Sequence, residues 1–125
     1  MTADTNSIKS TRYIEPDPDG NYFYVDERPD FKEGWNGLYK FIALHLNYPK
    51  RAKKEKIQGK CFVKFVVNAN GTIGKIEIIN GVSGCSECDA EVIKVVKKLP
   101  KFTPGKVNGK AVPVWFQMPI SFNLQ

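Results

Sequence analysis

The spacing of hydrophobic positions changes several times along the chain, and each change marks an element. Asn21–Glu27 is an aromatic and β-branched run that predicts a short strand, broken by Arg28-Pro29-Asp30-Phe31. From Gly34 the repeat becomes helical: Leu38, Ile42 and Leu46 recur every four residues, with Trp35 and Tyr39 on an adjoining line. Pro49 disfavours helical backbone at Tyr48, so this helix should end near Asn47, and Pro49 should open a short second helix through Lys54. Gly59–Gly81 predicts a hairpin. Cys61, Val63, Phe65 and Val67 alternate with Phe62, Lys64 and Val66. Asn70-Gly71 supplies the turn, and Ile76 and Ile78 alternate with Lys75 and Glu77 on the return.

A second helical stripe follows, formed by Val92, Val96 and Leu99 with Ile93 and Val95 beside it. Ser86 is its expected N-cap, with Asp89 three residues on. Lys97, Lys98 and Lys101 suit its C-terminal end, and Pro100 stops it. Phe102–Ala111 reads as a loop. Between Val112 and Leu124 the even positions are apolar (Val112, Val114, Phe116, Met118, Ile120, Phe122, Leu124). Pro113, Trp115, Gln117, Pro119, Ser121 and Asn123 fill the odd ones. That is an amphipathic strand whose two prolines assign it to a sheet edge. The expected fold is α+β: a small antiparallel sheet with both main helices packed on one face. No internal repeat is visible.

A length of 125 residues suits one domain, and 42% hydrophobic content is enough for a packed core. Residues 1–20, rich in Thr, Ser, Asp and Pro, read as a flexible leader or linker remnant, and 21–125 as the domain. No run approaches the roughly 20 apolar residues that span a bilayer, and the N-terminal residues are too polar for a secretory signal. A net charge of +6 favours anionic partners. The basic run Pro49–Lys56 nevertheless reads as a solvated helix face. No base-stacking aromatic pattern or helix-turn-helix spacing accompanies it, so nucleic acid is not an expected partner.

Cys85-Ser-Glu-Cys88 at a helix start is a placement shared with redox proteins and with half of a zinc site. Glu87 and Asp89 oppose a thiolate there, and the flanking βαβ pattern is missing. A second metal-ligand pair is lacking: Cys61 falls on the core face of its strand, and His45 is remote in sequence. Neither metal nor cofactor is expected. Cys85 and Cys88 are left as a local disulfide or as two free thiols pinning a turn, and Cys61 as a small buried hydrophobe.

Several strings in order resemble the C-terminal domain of TonB-family energy transducers, of the kind found in Bacteroidetes. They are Tyr48-Pro49 opening a basic helix, Ile57-Gln58-Gly59 before the hairpin, and Phe65-Val66-Val67 with Asn70-Gly71. Pro100, Phe102, Pro104-Gly105-Lys106 and Gly109-Lys110 follow, then the closing Pro119-Ile120-Ser121-Phe122-Asn123-Leu124. The resemblance spans residues 22–124. It departs from the family at Phe31-Lys32-Glu33-Gly34, where an aromatic-Pro-Gly-Gly turn is usual, at the two cysteines, and at Phe102 in place of tryptophan.

The resemblance implies a mechanical, non-enzymatic role in the periplasm. The domain would grip a peptide of a TonB-dependent outer-membrane transporter. A membrane anchor absent from this chain would join it to inner-membrane motor proteins. The other readings are a TonB-like sensor or interaction module fused to another membrane protein, and a small Cys-x-x-Cys redox or metal protein.

The closing strand suggests how a partner would be held. Its odd residues share one lateral side, so the donor-less Pro113 and Pro119 blunt that side, while Trp115, Gln117 and Ser121 retain N–H groups on it. A transporter peptide is expected to add as a strand there, its acidic flank meeting Lys106 and Lys110. The competing cover for this edge is a second copy of the domain, as a homodimer, or the N-terminal strand near Tyr22–Val25.

Overall fold

A computed structural model describes residues 15–124. The elements are β1 (Asp30–Phe31), α1 (Gly34–His45), α2 (Lys50–Lys54), β2 (Gly59–Val67), β3 (Ile73–Asn80), α3 (Ser86–Lys97), β4 (Phe102–Thr103), β5 (Gly105–Val107), β6 (Lys110–Val112) and β7 (Val114–Phe122). The main sheet is antiparallel with order β3–β2–β7, and β1–β4 and β5–β6 form two small pairs beside it. β2 and β7 pair without interruption from Gly59 opposite Phe122 to Val67 opposite Val114. The β2–β3 register shifts twice, at Phe62/Val63 and Phe65/Val67.

Strand alternation decides where the core lies. Cys61, Val63, Phe65 and Val67 of β2 and Phe116, Met118, Ile120 and Phe122 of β7 share one cluster with Leu38 and Ile42 of α1, Ala52 of α2 and Val92, Val95 and Val96 of α3. All three helices therefore cover the same face of the sheet. At one end Phe102 meets Phe31, Phe65 and Phe116 edge-on, with ring centroids 5.2, 5.8 and 5.2 Å apart. At the other end the Tyr48 ring lies edge-on to Phe122, 5.4 Å away, and its hydroxyl donates to the Ile57 carbonyl. Gln58 Oε1 accepts the Leu124 N–H at 2.8 Å.

The structure departs from the sequence expectations in four places. Asn21–Glu27 is not a strand. It makes two isolated bridges, Tyr22 with Val114 in parallel and Glu27 with Lys106 antiparallel, and between them Phe23 stacks on Trp115 of the sheet. The expected break at Arg28–Phe31 contains β1, which Phe31 anchors by burying its ring against Phe102. The expected loop at Phe102–Ala111 contains β4 and the β5–β6 hairpin, which turns through Asn108 and Gly109 at φ 52° and 76°. The N-cap of α3 is Cys85 rather than Ser86: its Sγ accepts the Cys88 N–H at 3.1 Å, and Ser86 is already helical. Residues 1–14 of the expected leader lie outside the described residues. Asp17, near its end, hydrogen-bonds Trp115.

Gly71 closes the β2–β3 turn at φ 86°, and its carbonyl accepts the Phe102 N–H at 2.8 Å. A Cβ here would sit 2.1 Å from the Phe102 carbonyl oxygen. Gly71→Ala thus combines left-handed strain with a backbone clash. It should lower unfolding free energy by about 2–4 kcal/mol, read as a reduced urea midpoint.

Candidate functional site

β7 pairs with β2 on one side only, so its other side is an edge of the main sheet. The lateral alternation is fixed by one observed bond: Trp115 N–H donates away from β2, to the Tyr22 carbonyl, at 2.8 Å. By the two-residue period, Gln117 and Ser121 also direct their N–H groups outward, and Pro119 contributes only a carbonyl. Among the described residues, no strand or isolated bridge pairs with Gln117 or Ser121 on that side.

The structure brings these positions together differently from the sequence expectation. Trp115 was expected to offer a donor at the centre of the edge, but that donor is occupied by Tyr22, whose own N–H donates to the Pro113 carbonyl at 2.9 Å. The segment from Asp17 to Tyr22 thus acts as a strap across the start of β7. Among the described residues, it leaves the edge from Gln117 to Ser121 unpaired.

The strap holds Trp115 by its side chain as well. Asp17 Oδ2 accepts Trp115 Nε1–H at 2.9 Å, while Oδ1 accepts the N–H groups of Asp19 and Asn21 at 3.0 and 2.9 Å. These bonds, the indole's foremost, hold the Asp17 carboxyl below its ordinary pKa. Phe23 stacks on the indole at 6.1 Å, and Lys64 Nζ sits 4.5 Å from the Trp115 ring centre and 5.6 Å from that of Phe23. Trp115 is consequently only 8% exposed, although it points away from the helices.

Lys106 and Lys110 lie on the β5–β6 hairpin, which precedes the residue of β7 that Tyr22 bridges, Val114. The basic residues level with that edge are Lys64 opposite Gln117 and Lys60 opposite Ser121. Lys60 is the exposed one of the two. The β2 alternation contained this signal, but it became readable only once the β2–β7 register was known.

The family model for the C-terminal domain of Gram-negative bacterial TonB proteins matches residues 44–124. The chain belongs to the TonB C-terminal domain family. Two solution structures of the Helicobacter pylori TonB C-terminal domain share its fold. One is 21% identical with a TM-score of 0.54 and covers 70% of this chain and 90% of its own. The other is 22% identical with a TM-score of 0.51 and covers 69% and 76%. No curated protein matches the sequence. The strap and nearly all of α1 precede the residues matched by the TonB family model.

The Cys-x-x-Cys turn lies apart from this edge. Cys85 and Cys88 form a disulfide with Cα atoms 5.3 Å apart, and the residues are 1% and 0% exposed. Arg51 of α2 fastens the turn: its Nε and Nη2 donate to the two Glu87 oxygens at 2.7 and 2.8 Å, Nη2 also to the Gly84 carbonyl at 2.8 Å, and Nη1 to Glu55 at 2.9 Å. This corrects the electrostatic argument from sequence. Glu87 is balanced by a guanidinium, and the two sulfurs it was expected to influence are buried and joined to each other. Burial also dominates at Cys61, whose thiol is pushed up to about 12 with the Asp89 carboxylate adding to the shift. No cluster of three or more metal-ligating side chains occurs among the described residues.

Arg51 pulls the Glu87 carboxyl down to about 2 from an ordinary 4.5. The folded-state pKa is depressed, so this contribution is present in full above pH 4.5 and is lost as the pH falls through about 2. Arg51→Met should flatten the acid side of the stability profile in that window, as followed by thermal unfolding against pH. Removing the disulfide as Cys85→Ala with Cys88→Ala should reduce unfolding free energy by about 2 kcal/mol, from the short loop it closes. Peptide binding, measured by calorimetry, should be retained.

Proposed function

We propose that this chain is the periplasmic peptide-gripping domain of a TonB-type energy transducer. It takes up a segment of a TonB-dependent outer-membrane transporter as an added strand on β7. A preceding segment would connect it to an anchor and to motor proteins of the inner membrane. The domain's work is then holding and pulling, with no covalent step.

The observation that carries this reading is the open stretch from Gln117 to Ser121. An antiparallel partner strand there would exchange both backbone bonds with Gln117 and with Ser121 and receive a single acceptor from Pro119. The footprint is short because Tyr22 already holds Trp115. Main-chain pairing supplies affinity, and charge beside it supplies selection: Lys60, opposite Ser121, favours an acid near that end of the partner.

Gln117→Pro tests the reading. It deletes an outward N–H and leaves every core-facing side chain of β7 in place. Binding of synthetic peptides taken from the periplasm-facing segments of transporters should weaken ~10-fold or more by calorimetry, with the circular dichroism spectrum unchanged. An unchanged affinity in the folded variant rules out pairing along this edge.

A further inference from the structure

Trp35 and Tyr39 are 49% and 43% exposed, and their rings stack with centroids 5.7 Å apart. They are one helical turn apart on α1, on the line next to its buried residues Leu38 and Ile42. Neither ring is used by the core in full, and neither enters the function proposed above.

Their position follows from three contacts. The Trp35 ring lies 5.3 Å from that of Phe116 on β7. Tyr48, just past the end of α1, lies 5.4 Å from Phe122 at the far end of β7. The helix therefore runs over β7 in the strand's own direction. A helical turn advances about 5.4 Å and two strand residues about 6.8 Å, so Tyr39 comes level with Met118. The other flank of α1 meets α3, which packs on β3 and β2. The exposed flank thus overhangs the side of β7 where no further strand lies among the described residues.

The geometry points to the Trp35–Tyr39 stack as the seat for one apolar side chain of a partner strand added to β7. This rests on the edge-pairing reading and extends it to the partner's chemistry. A strand added about 4.8 Å beyond β7 places alternate side chains on its two faces. The residue opposite Met118 points to the helix side, under the stack. Residues opposite Gln117 and Ser121 point to the other face, level with Lys64 and Lys60. The partner is accordingly an extended segment with an aliphatic or aromatic side chain between polar or acidic ones. Trp35 and Tyr39 lie before the residues matched by the family model.

The test uses the full chain and two capped nine-residue peptides. One alternates valine with threonine or glutamate, and the other carries serine in place of each valine. Tyr39→Ala is the informative variant, because Tyr39 is exposed, and Tyr39→Phe is its rescue. The valine peptide is expected to slow hydrogen exchange at the Gln117 and Ser121 amides and to shift the Trp35 indole resonance. Tyr39→Ala weakens that peptide ~5–10-fold, Tyr39→Phe restores it, and the serine peptide binds both proteins alike. If both peptides protect those amides equally and Tyr39→Ala changes nothing, the seat is refuted while the edge reading stands. If neither peptide protects Gln117 or Ser121, the edge reading is refuted and this inference falls with it.

Discussion

The unbroken pairing of β2 with β7 is the constraint on which the rest of the molecule depends. Along β7 two alternations, of side-chain face and of backbone direction, have the same period and are locked together. Each even residue bonds to β2 and sends its side chain beneath the helices; each odd residue does the reverse. A slip of one residue would turn Gln117 and Ser121 into the core and present the donor-less Pro113 and Pro119 to β2. The apolar pattern that buries Phe116, Met118, Ile120 and Phe122 therefore also determines which backbone groups remain outside.

The family strings gain physical meaning at the two ends of this ladder. Tyr48 bridges the β2 entrance and the β7 exit, with its hydroxyl on Ile57 and its ring on Phe122. Gln58 ties down the chain beyond β7 through Leu124. At the opposite end Gly71 lets the turn approach the Phe102 backbone more closely than any side chain would permit. These residues are spaced in sequence by the elements they join and are adjacent in the fold.

Most of the framework was legible from the sequence because it is local. The hairpin, the two amphipathic helices and the alternation of Val112–Leu124 each declare themselves within a dozen residues. The segment near Tyr22 was named as a competing cover for the β7 edge, but its fastenings were not legible, because they link distant residues: Asp17 to Trp115, Tyr22 to Pro113 and, just past the strap, Asp26 to Asn108. Nothing in a polar segment with two prolines signals which buried indole it will cap. The β5–β6 hairpin carried the same Asn-Gly turn signal as β2–β3, but strands of three residues are too short to show alternation. Arg51 was hidden in a basic run. Its neighbours Lys50, Lys53 and Lys54 do lie exposed, whereas its guanidinium reaches across to Glu87 on α3. On the candidate edge, the side that is open could be read from the prolines. The extent of the opening could not, since it is set by Tyr22.

The strap has a mechanical consequence. Tyr22 runs parallel to Val114, so the chain's N-terminal side is fastened to the strand whose outer flank continues as the open stretch. Under the proposed function, tension arriving from that side would meet β7 at Trp115 before it reached α1, and a partner lying alongside Gln117–Ser121 would be next in line on the same strand. Load would then pass lengthwise through the strand most firmly riveted to β2. Bonds pulled along a strand share the force and break together, whereas bonds pulled across it unzip in succession. The direction of pull, more than the number of contacts, would decide how long such a grip lasts.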